Sequence, residues 1–442
     1  MRGGGREVRG LTKRPGPTLA TDALTLLAGG ALAQLLPLLL GPVLTRLFTP
    51  QAFGVFTQFT TIAATLAVVA SLRYEQALPM ALDEDDGAAL LALALRVLLV
   101  AIGISVPLAW ALHAGGWLPL PALLPLALAG AGLLQVLMLW ANRARRFRAL
   151  AISRVLQYGG GALLQLLAGL LLWQGAPSGV EGAWALVAAP LVAQWLALAC
   201  LLRPAPRQGW GHVLAPAGAA LRLRMKAMAR RFKDFAWVNS PHAFLGTAQD
   251  AVAVALIIAW AGDPAAGFWG LALRYLKAPA TLIGSAVSQA LYPRLAAAAL
   301  PEGRRMVRQV MALLGACALA LALVLVLAGP WLFAMVFGPS WREAGELARA
   351  LSPYIGAHFV AAPLAVVTMA WGAQRWAFRV ALVGQLVFAV ALAAGLHWGG
   401  LVGGGWAVSA AMLPYFGYYF WRLAHWTGPV ATASATGQGS AA

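Results

Sequence analysis

Runs of about 20 apolar residues recur along the chain from residue 21 to residue 422. The hydrocarbon core of a bilayer is about 30 Å thick, and a helix needs roughly 20 apolar residues to cross it. Hydrophobic residues make up 61% of the 442 residues and charged residues only 10%, whereas a soluble domain carries about 25% charged residues. A soluble protein of this composition could not cover its surface with polar groups. The sequence therefore predicts an all-α integral membrane protein.

The apolar runs predict about twelve transmembrane helices, six on each side of a basic linker. The first run, Ala23 to Leu44, is too long for the apolar region of a signal peptide, which spans about 7–15 residues, so we interpret it as an uncleaved span. The predicted spans are roughly residues 22–45, 52–76, 88–112, 119–141, 151–173, 181–202, 235–260, 265–292, 309–337, 345–371, 378–397 and 402–422.

This pattern divides the chain into five regions. Within the linker, residues Leu221 to Phe232 fit either a basic amphipathic helix on the anionic inner leaflet or an ordinary solvated connection. The regions are a basic cytoplasmic N-terminus (1–21), an N-terminal six-helix bundle (22–202), a basic cytoplasmic linker (203–234), a C-terminal six-helix bundle (235–422) and a disordered C-terminal tail (423–442).

The net charge of +18 arises from clusters of basic residues between the apolar runs. With a cytoplasmic N-terminus, 27 of the 32 Lys and Arg residues lie on the cytoplasmic side, 3 lie outside and 2 lie within a span. This asymmetry follows the positive-inside rule, so we expect both termini in the cytoplasm. A nucleic-acid partner would need a contiguous basic surface, and clusters separated by spans argue against it.

The sequence lacks a pattern of residues that would carry catalysis or bind a metal. Enzymes that act on glycans need positioned carboxylates or a nucleophile beside a base, and the predicted outside loops are short. The acidic cluster Asp83 to Asp86 is predicted inside, where it suits a helix N-terminus. Cys200 and Cys317 lie in apolar runs and predict neither a disulfide nor a metal site. We expect a protein that is not an enzyme and needs no cofactor, with coupling to H⁺ or Na⁺ left open.

A short internal repeat relates the two halves. Phe-Gly-Val-Phe at 53–56 corresponds to Ala-Gly-Phe-Trp at 266–269. A proline lies within one turn before each glycine, at Pro50 and Pro264. Gly54 and Gln76 are 22 residues apart, as are Gly267 and Gln289. Six spans per half give both halves the same orientation, which predicts a pseudo-twofold axis along the membrane normal. Transporters with such parallel repeats bind their substrate between the halves.

Charged residues within the predicted spans are the strongest candidates for a functional site. Such groups are costly in lipid and usually face a cavity or a partner. Asp250 and Arg274 lie at similar predicted depths, and Lys277 follows Arg274 by about one turn, on the same helix face. We therefore predict that Asp250 and Arg274 are neighbours and that Lys277 is a functional cation without a partner. The alternative is an ion pair that only fixes helix packing.

Arg73 and Glu75 lie near the inner end of the second predicted span. They fit either a functional role or a local salt bridge with a side chain that reaches toward the interface.

Several motifs together resemble a known family. They resemble the oligosaccharide flippases of bacterial polysaccharide biosynthesis, in the multidrug/oligosaccharidyl-lipid/polysaccharide exporter superfamily. The resemblance covers most of residues 20–300 and is weaker beyond. The motifs are Leu-Thr-Arg-Leu-Phe-Thr-Pro at 44–50, Phe-Gly-Val-Phe at 53–56, Leu-Arg-Tyr-Glu at 72–75, Phe-Lys-Asp-Phe at 232–235, Leu-Arg-Tyr at 273–275 and Tyr-Pro-Arg at 292–294.

This resemblance implies two six-helix bundles around a cavity that opens alternately to either side of the bacterial inner membrane. It implies undecaprenyl-diphosphate-linked oligosaccharide as substrate, membrane lipid and polysaccharide polymerase machinery as partners, and assembly of a surface polysaccharide such as O-antigen, lipopolysaccharide or exopolysaccharide. A diphosphate crossing the membrane needs fixed cations along its route. The expected cations are Arg274, Lys277, Arg46 and Arg73, and the expected coupling or charge partners are Asp250 and Glu75.

Two other transport functions stay open at this point. A cation-coupled exporter of drugs or small molecules belongs to the same superfamily, but the acidic residue that multidrug members carry within span one is missing, because Asp22 lies at the inner edge. A flippase for another lipid-linked precursor, such as one for peptidoglycan, is the second alternative.

Overall fold

The computed structural model describes residues 19–81, 83–172, 179–202, 210 and 218–427, and within these residues it is helical without strands. This confirms the predicted all-α class. Short 3₁₀ segments occur at Tyr74–Met80 and Pro339–Trp341, and π-helical segments at Val155–Gly160 and Phe235–Asn239. The α-helices are α1 Leu19–Leu47, α2 Pro50–Ala67, α3 Glu84–Ala114, α4 Leu123–Arg143, α5 Phe147–Arg154, α6 Gly161–Leu171, α7 Gly179–Leu201, α8 Ala219–Arg231, α9 Ser240–Ala297, α10 Leu300–Phe337, α11 Arg342–Ala370 and α12 Gln374–Ala424.

Eight helical segments of the described residues are long and apolar enough to cross a membrane. Two of them, which contain α9 and α12, each correspond to two predicted spans. They reverse direction at Gly262 and at Gly399–Gly400, where Gly262 has φ 81° and Gly400 has φ 60°. Only glycine adopts such angles without strain, so these residues permit tight turns between spans. The count of twelve spans and the grouping into two six-helix bundles stay predictions.

Prolines inside the helices leave carbonyl oxygens without a backbone donor, because proline has no N–H for the carbonyl four residues earlier. In a membrane these carbonyls need partners from neighbouring helices. Side chains from other helices donate to three of these carbonyls, those of Leu38, Val326 and Leu186, which lie four residues before Pro42, Pro330 and Pro190. The donors are Tyr275 to Leu38 at 2.6 Å, Arg349 to Val326 at 2.8 Å and Gln165 to Leu186 at 2.7 Å.

The linker residues Leu221 to Phe232 lie largely in a helix, α8, that docks on the start of α3. Arg224 forms a salt bridge of 2.7 Å with Asp85, and the N–H of Asp86 donates to the carboxylate of Asp83 at 2.6 Å. The acidic cluster therefore caps α3 and holds α8. Contact of α8 with lipid stays a prediction. The basic N-terminus before residue 19, the tail after residue 427 and most of residues 203–217 lie outside the described residues.

The repeated glycines form a reciprocal contact between the two halves. A Cβ added at Gly54 would overlap the carbonyl oxygen of Asp263, and one added at Gly267 would overlap that of Pro50. A shift of 213 residues takes Gly54 to Gly267 and Pro50 to Asp263. The two contacts therefore lie at equivalent positions of the sequence repeat. The same shift relates Thr57 to Gly270, and a Cβ on Gly270 would overlap the Thr57 side chain. The contact is thus symmetric under the sequence repeat, and only glycine allows the backbones this close.

An aromatic layer lies beside the glycine contact. The ring of Trp341 packs at 5.0 Å from Phe53 and 5.8 Å from Phe268, between ring centroids, and its indole N–H donates to the carbonyl of Thr45 at 2.9 Å. We call these three aromatic residues with Gly54 and Gly267 the outer seal, because the predicted topology places them at the outer end of the helices.

Candidate substrate cavity

A cavity of about 590 Å³ lies between α1, α2 and α9 on the inner side of the outer seal. Helices α2 and α9 line it with positions that correspond to one another under the 213-residue shift. These pairs are Phe56 and Trp269, Thr57 and Gly270, Thr60 and Leu273, Thr61 and Arg274, Ala64 and Lys277, and Thr65 and Ala278. The two halves of the sequence repeat thus form opposite walls of one cavity.

Three of the predicted site residues, Asp250, Arg274 and Lys277, line this cavity. The ammonium of Lys277 lies 3.6 Å from a carboxylate oxygen of Asp250. Asp250 is 54% exposed and Lys277 is 31% exposed at the side chain, so water reaches both. Among the described lining residues there is one carboxylate for two cations, so their net charge is positive.

The predicted pair of Asp250 with Arg274 is wrong, as is the expectation that Lys277 lacks a partner. Cα–Cβ bonds point toward the N-terminus of a helix. With the predicted cytoplasmic N-terminus, Asp250 therefore reaches toward the inner side, while Lys277, in the segment after the reversal at Gly262, reaches toward the outer side. The two charged groups meet between the depths of their backbones, which a count of residues along each helix does not capture.

Arg274 is partly buried and, within the described part of the chain, has no carboxylate within 4.0 Å. Its neighbour Tyr275 donates to the carbonyl of Leu38 at 2.6 Å and so fixes this turn of α9 against α1. Because the backbone is held in this way, the guanidinium projects from a fixed position in the cavity wall. It is free to bind an anion with two parallel hydrogen bonds.

Arg46 lies outside the cavity, contrary to prediction. Its guanidinium donates to the carbonyl of Pro42 at 2.9 Å and to that of Met335 at 3.1 Å. The carbonyl of Met335 lies in the last turn of α10, and it has no backbone donor four residues later because Pro339 has no N–H. Arg46 therefore ties α1 to α10 at the outer end.

Arg73 and Glu75 also lie away from the cavity, beyond the end of α2. Arg73 has a left-handed backbone with φ 58°, and Glu75 is fully buried and accepts a hydrogen bond from Ser71 at 2.5 Å. Within the described residues, no salt bridge joins Arg73 to Glu75, so the local salt bridge is not formed. Arg73 immediately precedes the 3₁₀ segment that follows α2, and Glu75 lies in its first turn.

The threonines on α2 were missed as site residues. Each hydroxyl donates to the carbonyl four residues earlier, so the side chains are satisfied within the helix and present oxygen to the cavity. The signal was in the sequence, because these threonines recur at helical spacing on one face of an apolar run. The bonds are Thr57 to Phe53 at 2.8 Å, Thr60 to Phe56 at 2.7 Å, Thr61 to Thr57 at 2.6 Å and Thr65 to Thr61 at 2.8 Å.

The family model for polysaccharide biosynthesis proteins matches residues 43–346, which is more than half of the chain. The matched range includes Asp250, Arg274, Lys277 and the α2 wall of the cavity. Comparison with curated proteins gives no match.

Solved structures of transporters share the fold along nearly the whole chain. The lipid II flippase MurJ, in an inward closed conformation, has a TM-score of 0.63 at 7% identity and covers 92% of this chain and 90% of its own. A multidrug resistance MATE family transporter of the MOP superfamily, in an inward-facing conformation, has a TM-score of 0.56 at 15% identity, with coverage of 92% and 96%. A mutant form of the Vibrio cholerae MATE transporter VcmN has a TM-score of 0.53 at 15% identity, with coverage of 92% and 95%. These identities establish the fold alone.

Proposed function

Because this chain belongs to the polysaccharide biosynthesis protein family, we propose that it is a flippase that moves undecaprenyl-diphosphate-linked oligosaccharide from the inner to the outer leaflet by alternating access. The observation that carries the proposal is the positive cavity between α2 and α9. Its two cations and one carboxylate leave a net charge that favours an anionic headgroup.

The two cations suit a diphosphate, because a diphosphate cannot cross hydrocarbon unless its negative charge is neutralised. The guanidinium of Arg274 can bind two phosphate oxygens with its fork of donors. Lys277 is held by Asp250 at 3.6 Å when no anion is bound. A diphosphate carries more charge than one carboxylate and competes for the ammonium, so Asp250 serves as the counter-ion of the empty state.

The alternative is a cation-coupled exporter of drugs or other small molecules. It is considered because the fold is similar to that of a multidrug resistance MATE family transporter. An exporter of cationic drugs would need net negative charge in its cavity. Here the only acidic group among the described lining residues is paired with a lysine, and an unpaired arginine remains. The charge balance therefore favours an anionic substrate.

The proposal is tested with purified protein in proteoliposomes that contain a fluorescent undecaprenyl-diphosphate-linked oligosaccharide. We expect the protein to make the headgroup accessible to a membrane-impermeant quencher on the opposite side, while a cationic dye is not moved. Dye transport without movement of the lipid-linked sugar would establish the alternative. Analysis of lipid-linked intermediates after loss of the gene would show accumulation of the undecaprenyl-linked precursor if the protein acts as proposed.

A further inference from the structure

A second cavity of about 380 Å³ lies behind the substrate cavity, between α2, α3 and α9. Its lining is apolar and includes Ile62, Leu66, Leu108, Phe244 and Val252. Val252 and Phe244 are 46% and 39% exposed, so the cavity is open along α9. We call it the apolar groove.

Helix α2 and the first segment of α9 form the partition between the substrate cavity and the apolar groove. On α2, Thr57 and Thr60 face the cavity, whereas Ile62 and Leu66 face the groove. On α9, Asp250 faces the cavity and Ala251 faces the groove. Each helix of the partition thus turns a polar side to one space and an apolar side to the other.

The two spaces meet at a thin part of this partition. Thr61, Thr65 and Val254 line both of them. The hydroxyl oxygen of Thr65, which donates to Thr61 within α2, lies 3.2 Å from the carbonyl oxygen of Thr247, so α2 and α9 are in close contact at this point.

The groove also runs along the direction in which a substrate must travel. From Phe244 to Ala255 it follows α9 for roughly 16 Å at 1.5 Å per residue, and at the outer end it reaches Trp117 beside Gln58. It therefore extends over about half of a hydrocarbon core of about 30 Å.

We propose that the apolar groove holds the polyisoprenoid chain of the substrate while Arg274 and Lys277 hold its diphosphate. This inference rests on the proposed function. The diphosphate is covalently tied to the chain, so an apolar path must lie within reach of the polar one over the whole crossing. The groove provides such a path over about half of the hydrocarbon core, since it shares three lining residues with the cavity and follows the same helix. A diphosphate offers phosphate oxygens to both cations at once, whereas phosphatidylethanolamine has a single phosphate that its own ammonium neutralises, so the shared boundary favours the diphosphate-linked chain.

The test uses protein in nanodiscs and two probes, undecaprenyl diphosphate and the short-chain geranyl diphosphate. Ala255→Trp and Ile62→Trp fill the groove from opposite sides without replacing a residue that lines the cavity. Ala259→Trp places the same side chain on an exposed position of α9, one turn further, and serves as the matched control. We expect the groove variants to weaken binding of the long-chain probe by about tenfold and to leave the short-chain probe unchanged.

A photoreactive group at the free end of the long chain gives a second measurement. We expect cross-links to α3 near Leu108 that excess undecaprenyl diphosphate removes and excess phosphatidylethanolamine does not. Competition by phosphatidylethanolamine, or equal binding of the long-chain probe by wild type and both groove variants, would overturn the role of the groove and leave the proposed function intact. Failure of wild type to bind either probe would overturn both.

Discussion

Helix α2 and the second segment of α9 are repeat-related walls of one cavity, yet they carry different chemistry. At corresponding positions α2 has Thr61 where α9 has Arg274, and Ala64 where α9 has Lys277. Their backbones make a reciprocal contact at Gly54 and Gly267. Both repeat units therefore have the glycine that allows close backbone contact, but only the α9 unit carries charged residues in the cavity.

This difference separates two tasks. Close backbone packing at the outer seal needs both halves to be alike, because each glycine receives the other half's carbonyl. Binding a diphosphate needs cations on only one wall, and a second cationic wall would hold the anion too tightly to release it. The threonines of α2 are hydrogen-bonded within their own helix, so they form a neutral polar surface, which would suit the sugar headgroup of the proposed substrate.

The largest effect is expected from adding methyl groups at the symmetric contact. Gly54→Ala with Gly267→Ala forces the outer seal apart, because both Cβ atoms would overlap backbone oxygens. Overpacking costs about 1–3 kcal/mol per site, so the outward-open state gains about 5-fold to 150-fold in population for each change. We expect transport to fall to background. A Thr60→Cys reporter, with Cys200 and Cys317 replaced by serine, should react faster with an impermeant thiol reagent added outside.

The control for this prediction is Gly103→Ala on α3, where an added Cβ would have no neighbour within 4 Å. It should leave both transport and labelling unchanged. Unaltered labelling in the Gly54→Ala, Gly267→Ala variant would show that the contact does not close the outer end.

The next largest effect is expected at Arg274, which, of the two cations that line the cavity among the described residues, is the one without a salt-bridge partner. Arg274→Ala should reduce transport about 10-fold to 150-fold, since a hydrogen bond to a charged group contributes about 1.5–3 kcal/mol. Arg274→Lys should restore little, because it keeps the charge but loses the fork of donors. Transport is measured in proteoliposomes at matched protein amount. Arg375→Ala removes an exposed arginine outside the cavity and should behave as wild type; a comparable loss in that control would mean that overall charge, not Arg274, is responsible.

A smaller effect is expected at Lys277. Lys277→Ala should lower the transport rate about tenfold and leave protein abundance normal, because one of two phosphate contacts is lost. Lys277→Arg should keep most of the activity, since Asp250 can pair with either cation. Equal losses in the alanine and arginine variants, in the same proteoliposome assay, would argue against an electrostatic role.

The all-α membrane fold was predictable from sequence because span length is a local property that lipid imposes on any chain. The orientation, which the charge asymmetry predicts, stays a prediction. The three cavity residues Asp250, Arg274 and Lys277 were predictable as well, since charge within a span needs a wet or paired environment. The pairing of Asp250 with Lys277 was not, because it depends on the reversal at Gly262 and on side-chain direction.

Arg46 shows a second limit of sequence reasoning. Its charge suggested a substrate contact, but it donates to the carbonyl of Pro42 in its own helix and to that of Met335, which Pro339 leaves without a backbone donor. Predicting this use of a guanidinium requires knowing that α1 lies beside the end of α10, which is tertiary information. The apolar groove is a similar case, because no single stretch of sequence encodes a space between three helices.

The smallest departure from wild type is expected when the lysine is moved from one wall to the other. In Lys277→Ala with Ala64→Lys, the cation occupies the corresponding position on α2. Position 64 precedes Thr65, whose hydroxyl oxygen lies 3.2 Å from the carbonyl oxygen of Thr247, and Thr247 lies about one turn from Asp250. A lysine at 64 can therefore reach the same water-filled space and the same carboxylate.

Under the proposed function Arg274 still binds one phosphate of the diphosphate, so we expect the presence of the second charge to matter more than its position. We expect transport to recover to within about threefold of wild type, against the roughly tenfold loss of Lys277→Ala alone. The comparison uses the same proteoliposome assay, with Ala64→Lys alone as the control for added charge. If the relocated lysine restores nothing while the protein still folds and inserts, the charged wall itself is required, and the division of the cavity into one binding wall and one neutral wall is strict.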